Sequence, residues 1–338
     1  EARTLELSLE QIVKLRSRAI AAALKVFKPD VLIVDNVPEG AAGELERVLK
    51  KLKKKGRTRC VLGLRDVLDD PKAVRKQWRK SGSEAIIDDY YDEVWVYGDP
   101  RVYDPVREYG FSPRLAKRLR YLGYFDQRAR LCLSVPTGET TGPNLPEGVD
   151  PSLGAMVLCQ VGGGQDGAQL ALAFADTDLP EGRYGVLVTG PYMPPDVTRR
   201  LHELAASRAR LKVLDFVRES SQLLVHAERV IAMGGYNTVF EVLSHELPLL
   251  LVPRVKPRRE QLIRAKCLHD LGLLDFVRPD KLTPEALTSW LARDVEAPKG
   301  VRERLDFGAM ARLPEHLSDL LRLDFVVPAQ WEMHHAAT

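Results

Sequence analysis

The sequence predicts an α/β protein of two domains, each with a parallel sheet covered by helices. Short apolar runs of strand composition alternate with helical segments along most of the chain. A stretch rich in proline and glycine, residues 124–150, divides this alternation in two and predicts a linker. With 338 residues, the chain is long enough for two hydrophobic cores. We therefore expect one domain over residues 1–123 and a second over residues 151–338.

Four apolar runs in the first part of the chain predict buried strands. These runs are Asp30–Asp35, Arg59–Leu64, Glu93–Tyr97 and Arg120–Gly123. The segments around them predict helices at Leu9–Phe27, Gly43–Lys55, Lys72–Lys80 and Val102–Tyr109. The first helix is expected to bury one apolar face, formed by Ile12, Leu15, Ala19, Ala22 and Ala23.

The second part of the chain continues the alternation up to its carboxyl-terminal helices. Its strands are predicted at Ala155–Val161, Tyr184–Thr189, Leu211–Val217, Arg229–Met233 and Pro248–Pro253. Its helices are predicted at Ala168–Ala175, Asp196–Ser207 and Ser220–Val225, with more to follow.

The most informative segment follows the predicted strand Arg229–Met233. Gly234 and Gly235 lack side chains, so the backbone can turn sharply there and approach a ligand closely. Asn237 and Thr238 are good N-cap residues for the helix that follows. The unpaired N–H groups and the positive dipole end of that helix predict a phosphate site.

Polar side chains continue around the next strand, Pro248–Pro253. Glu241, one turn into the preceding helix, is placed to accept hydrogen bonds from ribose hydroxyls. Arg254 stands at the carboxyl end of the strand, where open α/β sheets bind ligands. The next helix opens at the same rim with Arg258, Arg259, Glu260, Gln261 and Arg264. This order of elements suits the binding of a nucleotide-sugar diphosphate.

A second glycine cluster follows the strand Ala155–Val161. Three glycines there have the spacing G-x-G-x-x-G between a strand and a helix: Gly162, Gly164 and Gly167. A dinucleotide site also needs an acid at the end of the next strand, but that strand ends in Thr189, so NAD is not favoured. Asp166 either caps the following helix or contacts a sugar hydroxyl, and both interpretations stay open.

In these residues the chain resembles glycosyltransferases of the GT-B fold, and family 28 in particular. The shared pattern is a small-residue pair, a polar stretch, a glutamate, an apolar strand ending in proline, and a helix with a polar pair. Gly235–Glu241 match the family's diphosphate turn and ribose-binding glutamate, and Glu260 with Gln261 match the pair that faces the donor sugar. The resemblance extends over roughly Ala155–Leu291, and the stretches VGGGQDG, VTGPYMP and MGGYNT are shared with one branch of the group.

The resemblance implies two Rossmann-like domains with the donor site in the cleft between them. It implies a UDP-sugar as co-substrate, no cofactor and no metal. It also implies that Phe216 and Val217 meet the uracil ring, although core burial is an equal alternative for Phe216. The donor-binding residues expected from the pattern and the resemblance are Gly163, Gly164, Asp166, Gly190, Phe216, Val217, Gly234, Gly235, Asn237, Thr238, Glu241, Arg254, Glu260, Gln261 and Arg264.

The implied reaction is an inverting, metal-independent transfer of a hexose-type sugar from the UDP-sugar to an acceptor hydroxyl. Asp35 and Asp66, near the carboxyl ends of first-domain strands, are weak candidates for the catalytic base, and a capping role is the alternative for each. Two other acidic groups are not expected to hold metal. Asp69–Asp70 precede a proline and suit a helix cap, and Asp176–Asp178 lie in a loop at the amino ends of the strands.

Two other functions stay open. One is a UDP-sugar 2-epimerase or hydrolase on the same fold, which needs cleft carboxylates or a histidine that the sequence does not place. The other is a noncatalytic sugar-nucleotide-binding subunit. It gains weight because a GT-B N-domain normally opens with a strand and a glycine-rich loop, and no such unit precedes Leu9. We therefore expect an incomplete first domain, and a chain that binds the donor but transfers sugar poorly.

Composition fits a globular, cytoplasmic protein, since 45% of the residues are hydrophobic and 29% are charged. No apolar run approaches the ~18 residues of a membrane helix, and no signal peptide is visible. A net charge of +3 is too small to indicate a nucleic-acid partner. Four widely spaced cysteines predict reduced thiols: Cys60, Cys132, Cys159 and Cys267.

Basic residues gather in three places in the first domain, within Lys50–Arg59, Lys72–Lys80 and Arg114–Arg120. Solvated helix faces are one explanation. Peripheral attraction to an anionic membrane or to a phosphorylated, lipid-linked acceptor is the other, worth up to ~1 kcal/mol per basic residue.

Overall fold

The computed structural model describes residues 7–128 and 145–322. The chain divides into two compact units. Unit 1 comprises Glu1–Tyr124 with Gly308–Thr338, and unit 2 comprises Phe125–Phe307. The first boundary falls next to the predicted end of the first domain at residue 123. The central part of the predicted linker, residues 129–144, lies outside the described residues.

Within its described residues, unit 1 is built on four parallel strands in the order β1-β2-β3-β4. The strands are β1 (Val31–Asp35), β2 (Arg59–Arg65), β3 (Glu93–Tyr97) and β4 (Leu119–Tyr121). The helices are α1 (Leu9–Phe27), α2 (Glu46–Lys55), α3 (Pro71–Ser81), α4 (Ser83–Tyr90), α5 (Pro105–Tyr109) and α6 (Pro113–Ala116). Every strand and helix predicted in this region is present with ends shifted by a few residues, whereas α4 and α6 were not predicted.

The strand order of unit 1 places its helices. Successive strands are neighbours and all connections are parallel, so right-handed crossovers bring α2, α3 and α4 to the same face of the sheet. The central strands carry the core, with Leu62 and Leu64 of β2 and Val94 of β3 wholly buried. At the edge, β1 pairs only with β2 within the described residues, and Ile33 is 43% exposed.

Helix α1 has the predicted ends because its start signal is local. Ser8 and Gln11 form a capping box: the Ser8 hydroxyl accepts from the Gln11 N–H, and the Gln11 side chain accepts from the Ser8 N–H. The predicted buried face is wrong, since Leu15 is 55% exposed and the alanines of that face are exposed too. The half-buried residues of α1 are Ile12, Val13, Ser17, Ile20, Ala21 and Leu24, so Ile12 is the one member of the predicted face that is partly covered. Apolar side chains lie on both sides of α1, so periodicity alone does not select its inner face.

The described part of unit 2 contains six parallel strands in the order β10-β9-β8-β5-β6-β7. The strands are β5 (Ala155–Gln160), β6 (Arg183–Val188), β7 (Leu211–Leu214), β8 (Ala227–Ala232), β9 (Leu249–Leu251) and β10 (Asp275–Phe276). The helices are α7 (Ala168–Ala175), α8 (Pro195–Ala206), α9 (Ser221–Leu224), α10 (Tyr236–Ser244), α11 (Glu260–Asp270), α12 (Pro284–Ala292) and α13 (Val301–Arg304). Short 3-10 turns lie at Pro151–Leu153 and Pro279–Lys281.

The carboxyl-terminal helix α14 (Ala309–Leu321) belongs to unit 1, so the prediction of a single domain over residues 151–338 is corrected. The N–H of Ala309 donates to the Tyr124 carbonyl at 3.3 Å, and the Arg312 guanidinium donates to the Leu122 carbonyl at 2.7 Å. These bonds join residues up to 190 positions apart, a separation over which local pattern carries no information.

The cysteines of the central strands are buried thiols. Cys60 lies in β2 and Cys159 in β5, and both are free. Burial raises the pKa of both thiols, that of Cys60 to about 11 with a further contribution from Asp92. Cys267 is half-buried, and Cys132 lies outside the described residues.

Candidate functional site

The strand order of unit 2 reverses between β5 and β8. From β5 the chain proceeds to β6 and β7 on one side, and from β8 to β9 and β10 on the other. Loops that leave two such neighbouring strands diverge and open a crevice at the carboxyl edge, the usual ligand site of open α/β sheets. Both glycine clusters lie there, since residues 162–167 follow β5 and residues 233–235 follow β8.

The loop after β8 turns directly into α10. Gly235 occupies the N-cap position with an extended backbone (φ −64°, ψ 138°), and no side chain caps the helix. The prediction that Asn237 or Thr238 is the N-cap is therefore wrong, because the turn is complete within the glycine pair and both residues lie in the first helical turn. Asn237 is exposed and Thr238 half-buried, so both hydrogen-bonding side chains are accessible at the positive end of the helix.

Arg264 supports this glycine turn from inside the protein. Its side chain is 1% exposed, Nη1 donates to the Gly234 carbonyl at 2.9 Å, and the guanidinium lies 5.5 Å from the centroid of the Tyr236 ring. The prediction that Arg264 binds the donor is corrected, since a side chain buried this completely fixes the turn instead of meeting a ligand.

Glu241 lies in the second turn of α10 and is half-buried. Its Oε1 accepts a hydrogen bond from the Ser221 hydroxyl, and the Ser220 hydroxyl lies 3.5 Å from the same oxygen. Ser221 is wholly buried and opens the short helix α9. Sequence reasoning missed both serines, because this contact crosses 20 positions and two elements.

Arg254 links the glycine loop after β5 to the start of α11 through a pair of carboxylates. Nη1 donates to Asp166 Oδ2 at 2.8 Å, and Nη2 donates to Glu260 Oε1 at 2.6 Å. The Arg254 N–H donates to Gln261 Oε1 at 3.0 Å. Burial opposes the charge, but the hydrogen bonds to Asp166 and Glu260 outweigh it and raise the pKa of Arg254. Gly167 occupies the N-cap of α7, so Asp166 pairs with Arg254 instead of capping the helix.

The glycine loop after β5 interlocks with the loop after β6. Gly164 and Gly190 both have left-handed backbones, with φ of 89° and 78°. A side chain at either position would overlap a backbone carbonyl of the other loop. The Tyr192 N–H donates to the Gly163 carbonyl at 2.8 Å, and the Tyr192 ring is 67% exposed. The two loops therefore form one rim, with an aromatic side chain on its surface that sequence reasoning had not singled out.

Phe216 and Val217 lie in the loop after β7 and not in the strand predicted for them, because the β-ladder ends at Leu214. Phe216 is 65% exposed, which removes core burial as its explanation. Beside it, His202 Nε2 and Asp215 Oδ1 are 2.8 Å apart on the surface. An exposed ring at the carboxyl edge is available to stack against an aromatic base.

The two candidate bases differ in accessibility. Asp35 ends β1 with its side chain 65% exposed and 3.7 Å from the Arg65 guanidinium. Asp66 follows β2, is wholly buried, and accepts from the Val67 N–H at 2.7 Å. The geometry of Asp66 is that of a loop cap, whereas Asp35 remains accessible to a reacting group.

The other acidic groups have structural roles. Asp70 is the N-cap of α3, and its side chain accepts from the Lys72 N–H at 3.0 Å. Asp176 is the C-cap residue of α7, 3.9 Å from Arg208. Across residues 7–128 and 145–322, no three His, Cys, Asp or Glu side chains lie together as metal ligands would.

The structure brings most of the predicted donor residues to one edge of unit 2. Arg254, Asp166, Glu260 and Gln261 form a polar cluster, and Glu241 has its own serine partners. Asp35 and Asp66 lie in unit 1.

Comparison with known proteins finds a likeness for this part of the chain. Residues 161–304 match the glycosyltransferase family 28 C-terminal domain. A stretch of 82 residues, 24% of this chain and 23% of the relative, is 29% identical to the UDP-N-acetylglucosamine--N-acetylmuramyl-(pentapeptide) pyrophosphoryl-undecaprenol N-acetylglucosamine transferase of Haemophilus influenzae (strain PittGG). The match thus spans about a quarter of the length of the curated relatives.

Two solved structures extend the likeness to most of the chain. The calicheamicin glycosyltransferase CalG4 has a TM-score of 0.56 at 17% identity, covering 92% of this chain and 82% of that one. The UDP-GlcNAc 2-epimerase from Neisseria meningitidis, bound to UDP-GlcNAc, has a TM-score of 0.57 at 12% identity, covering 95% and 84%. At such identities the likeness shows the fold, which is that of two Rossmann-like domains of the GT-B class.

Proposed function

We propose that the protein transfers a hexose-type sugar from a UDP-sugar to an acceptor hydroxyl, because residues 161–304 match the glycosyltransferase family 28 C-terminal domain within a chain of the GT-B fold. The observation that carries the proposal is the Gly234–Gly235 turn at the switch point of the sheet. That turn leads into an α10 N-terminus without a side-chain cap, with Glu241 in the following turn. Such a helix start suits a diphosphate.

Each part of a UDP-sugar has a matching group at the carboxyl edge of unit 2. The diphosphate would lie at the α10 N-terminus beside Asn237 and Thr238. Glu241 would accept hydrogen bonds from the ribose hydroxyls, and the exposed Phe216 ring would meet the uracil. The cluster of Asp166, Glu260 and Gln261 around Arg254 presents carboxylate and amide groups suited to sugar hydroxyls.

The proposed chemistry is a single displacement with inversion. The acceptor oxygen attacks the anomeric carbon while the bond from that carbon to the diphosphate oxygen breaks, and a base takes the acceptor's proton. Negative charge develops on the leaving UDP, where the α10 dipole and the Arg254 guanidinium would stabilise it. The proposal invokes no metal or cofactor. Asp35 is the better candidate for the base, since Asp66 is wholly buried.

For the acceptor we propose a lipid-linked molecule met at the cytoplasmic face of a membrane. No helix in the described part of the chain is both long and apolar enough to span a bilayer. The lysines of α2 and α3 are exposed, and both helices cover the same face of the unit 1 sheet. On α3 the half-buried Trp78 stacks on Phe111 (centroids 4.7 Å) among these basic residues, an amphipathic ring of the kind found at membrane interfaces.

The third basic group contributes less to that surface. Arg118 is half-buried and donates to the Tyr91 carbonyl at 2.6 Å. Arg114 pairs with Asp88 at 3.2 Å, and Arg120 lies 3.6 Å from Glu93. Carbonyl and carboxylate groups of unit 1 partly neutralise these three arginines. The proposed membrane contact therefore rests on the lysines of α2 and α3.

Calorimetry with UDP, ADP and GDP tests the donor assignment. We expect UDP to bind more tightly than the purine nucleotides, and equal affinity for all three would overturn it. UDP release from UDP-sugars, measured with and without lipid-linked acceptors, then tests transfer. Release without any acceptor would favour a hydrolase, interconversion of the UDP-sugar an epimerase, and binding without turnover a noncatalytic subunit.

A further inference from the structure

We propose that Ser221 is a positioning residue for the nucleotide site. Its buried hydroxyl holds the Glu241 carboxylate in the orientation that accepts hydrogen bonds from the ribose hydroxyls. This inference rests on the proposed function, because it assumes that Glu241 contacts the ribose. It adds a residue outside the glycine turn, and it predicts a measurable property, the discrimination between ribonucleotides and 2′-deoxyribonucleotides.

The contact is built into the protein interior. Ser221 is wholly buried, and its hydroxyl donates to Glu241 Oε1. Ser220, half-buried, brings a second hydroxyl to 3.5 Å from that oxygen. The Glu219 side chain accepts from the Ser221 N–H at 3.4 Å, and the Leu223 N–H donates to the Ser220 carbonyl at 3.0 Å. Hydrogen bonds within residues 219–223 thus hold the two serines in place independently of Glu241.

Holding the carboxylate before the ligand arrives has a physical benefit. A glutamate side chain has several rotatable bonds, and a free one loses rotamer entropy when it binds a sugar. A hydroxyl that donates to a carboxylate forms a charge-assisted bond, stronger than a neutral one. The Ser221 bond therefore restricts the carboxylate in advance, leaving less entropy to lose on ribose binding.

The same turn connects the proposed ribose and base contacts. Phe216 and Val217 lie in the loop between β7 and α9, and Ser221 is the first residue of α9. The chain that carries the exposed Phe216 ring therefore runs within five positions into the hydroxyl that holds Glu241. Base and ribose recognition would share this loop as a common support.

Ser244 provides a matched control. It is also wholly buried, and its hydroxyl donates at 2.7 Å to the backbone carbonyl of Glu241 instead of the carboxylate. Ser221→Ala and Ser244→Ala each remove one buried hydroxyl that is hydrogen-bonded to Glu241. A general loss of packing would affect both variants alike, whereas loss of carboxylate positioning would affect only Ser221→Ala.

The experiment measures the dissociation constants of UDP and 2′-deoxy-UDP by calorimetry on the full chain, with thermal unfolding in parallel. We expect the wild type and Ser244→Ala to prefer UDP by about tenfold. In Ser221→Ala this ratio should fall to about threefold or less. Ser221→Cys fills the space but hydrogen-bonds weakly, so it should give an intermediate ratio if Ser221→Ala folds poorly. In a Glu241→Ala background, Ser221→Ala should change the ratio no further.

A Ser221→Ala protein that folds and keeps the wild-type ratio would overturn the proposal, as would an equal fall in Ser244→Ala. Failure of the underlying function would look different. A wild type that does not bind UDP, or binds 2′-deoxy-UDP equally well, would show that Glu241 does not contact ribose.

Discussion

Arg254 and Asp166 stand 88 positions apart in sequence, yet a 2.8 Å ion pair joins them at the carboxyl edge of unit 2. Glu260 contacts the same guanidinium at 2.6 Å. The cation assigned to the leaving diphosphate is therefore already matched by two carboxylates. Arg254 both connects two loops and supplies a positive charge, and the two roles can be separated by mutation.

Asp166→Asn should strengthen UDP binding by about two- to fivefold, because it removes one negative charge near the diphosphate while keeping a hydrogen-bond acceptor for Arg254. Arg254→Gln should weaken binding by about tenfold through loss of a charge-assisted contact. Calorimetry at low and high salt is the measurement, with Glu203→Gln on the exposed side of α8 as control. Weaker binding by Asp166→Asn would mean that the ion pair between the two loops matters more for affinity than the negative charge near the diphosphate.

Glu241→Ala should weaken UDP binding by roughly 1.5–3 kcal/mol, the usual range for hydrogen bonds to a charged group. The melting temperature without ligand should fall modestly, because the wholly buried Ser221 hydroxyl loses the acceptor that the Glu241 carboxylate provides. Calorimetry and thermal unfolding give both numbers, and Glu203→Ala is the control for removal of an exposed glutamate. A large loss of stability with unchanged affinity would make Glu241 a structural residue.

Arg264→Met should destabilise unit 2 by about 1.5–3 kcal/mol, because the Gly234 carbonyl loses a hydrogen bond from a charged donor. Lys266→Met, on the exposed side of the same helix α11, should be nearly neutral. Urea denaturation compares the two variants. If Arg264→Met lowers UDP affinity but leaves the unfolding midpoint unchanged, Arg264 contacts the ligand after all.

Binding to anionic vesicles should depend on the basic residues of α3. Lys72→Gln with Lys76→Gln should reduce sedimentation with anionic liposomes, whereas Arg199→Gln with Arg200→Gln, equally exposed on α8, should not. Wild-type binding should fall steeply as salt rises, because exposed charges are screened within about 10 Å at 0.1 M. Equal binding to neutral and anionic vesicles would leave these lysines as solvated helix faces.

His245 should make the protein less stable in mild acid. Burial, with Arg128 and Arg302 nearby and only Asp126 opposing, lowers the pKa of His245 from 6.5 to about 4. Between these values the unfolded chain binds a proton that the folded chain refuses, so stability is full above pH 6.5 and declines as the pH falls toward 4.

Allowing for solvent screening of this partly exposed group, the expected loss is about 1 kcal/mol between pH 6.5 and pH 5. Thermal unfolding at both pH values should show a smaller decline in His245→Leu than in the wild type. His226→Leu, at an exposed position, should follow the wild type. Parallel pH profiles for all three proteins would exclude His245 as the origin.

Local signals and long-range contacts explain what the sequence did and did not predict. Helix α1 has the predicted ends because Ser8 and Gln11 cap it from within four residues. Its inner face was mispredicted because tertiary packing decides between two apolar sides. The N-cap of α10 was misplaced because a glycine pair completes the turn without any side-chain signal. The spacing of Asp166, Arg254 and Glu260 predicted polar residues at one rim, but not their ion pairs.

Contacts made by buried residues are harder to predict from the sequence. Arg264 was predicted to contact the ligand because a charged residue near a helix start resembles a functional one. Its 1% exposure and its hydrogen bond to the Gly234 carbonyl show that it supports the glycine turn. The bond from Ser221 to Glu241 and the placement of α14 in unit 1 depend on chain segments that meet only in the folded protein.

The interlock of Gly164 and Gly190 also determines where this rim can vary by mutation. A side chain at either position would require both loops to change conformation together, so a substitution of Gly164 or Gly190 alone should not be tolerated. Gln165 and Tyr192 on the same rim are exposed and carry no such restriction. New ligand preferences at this rim would therefore arise by exchanging side chains on a fixed backbone path, one substitution at a time.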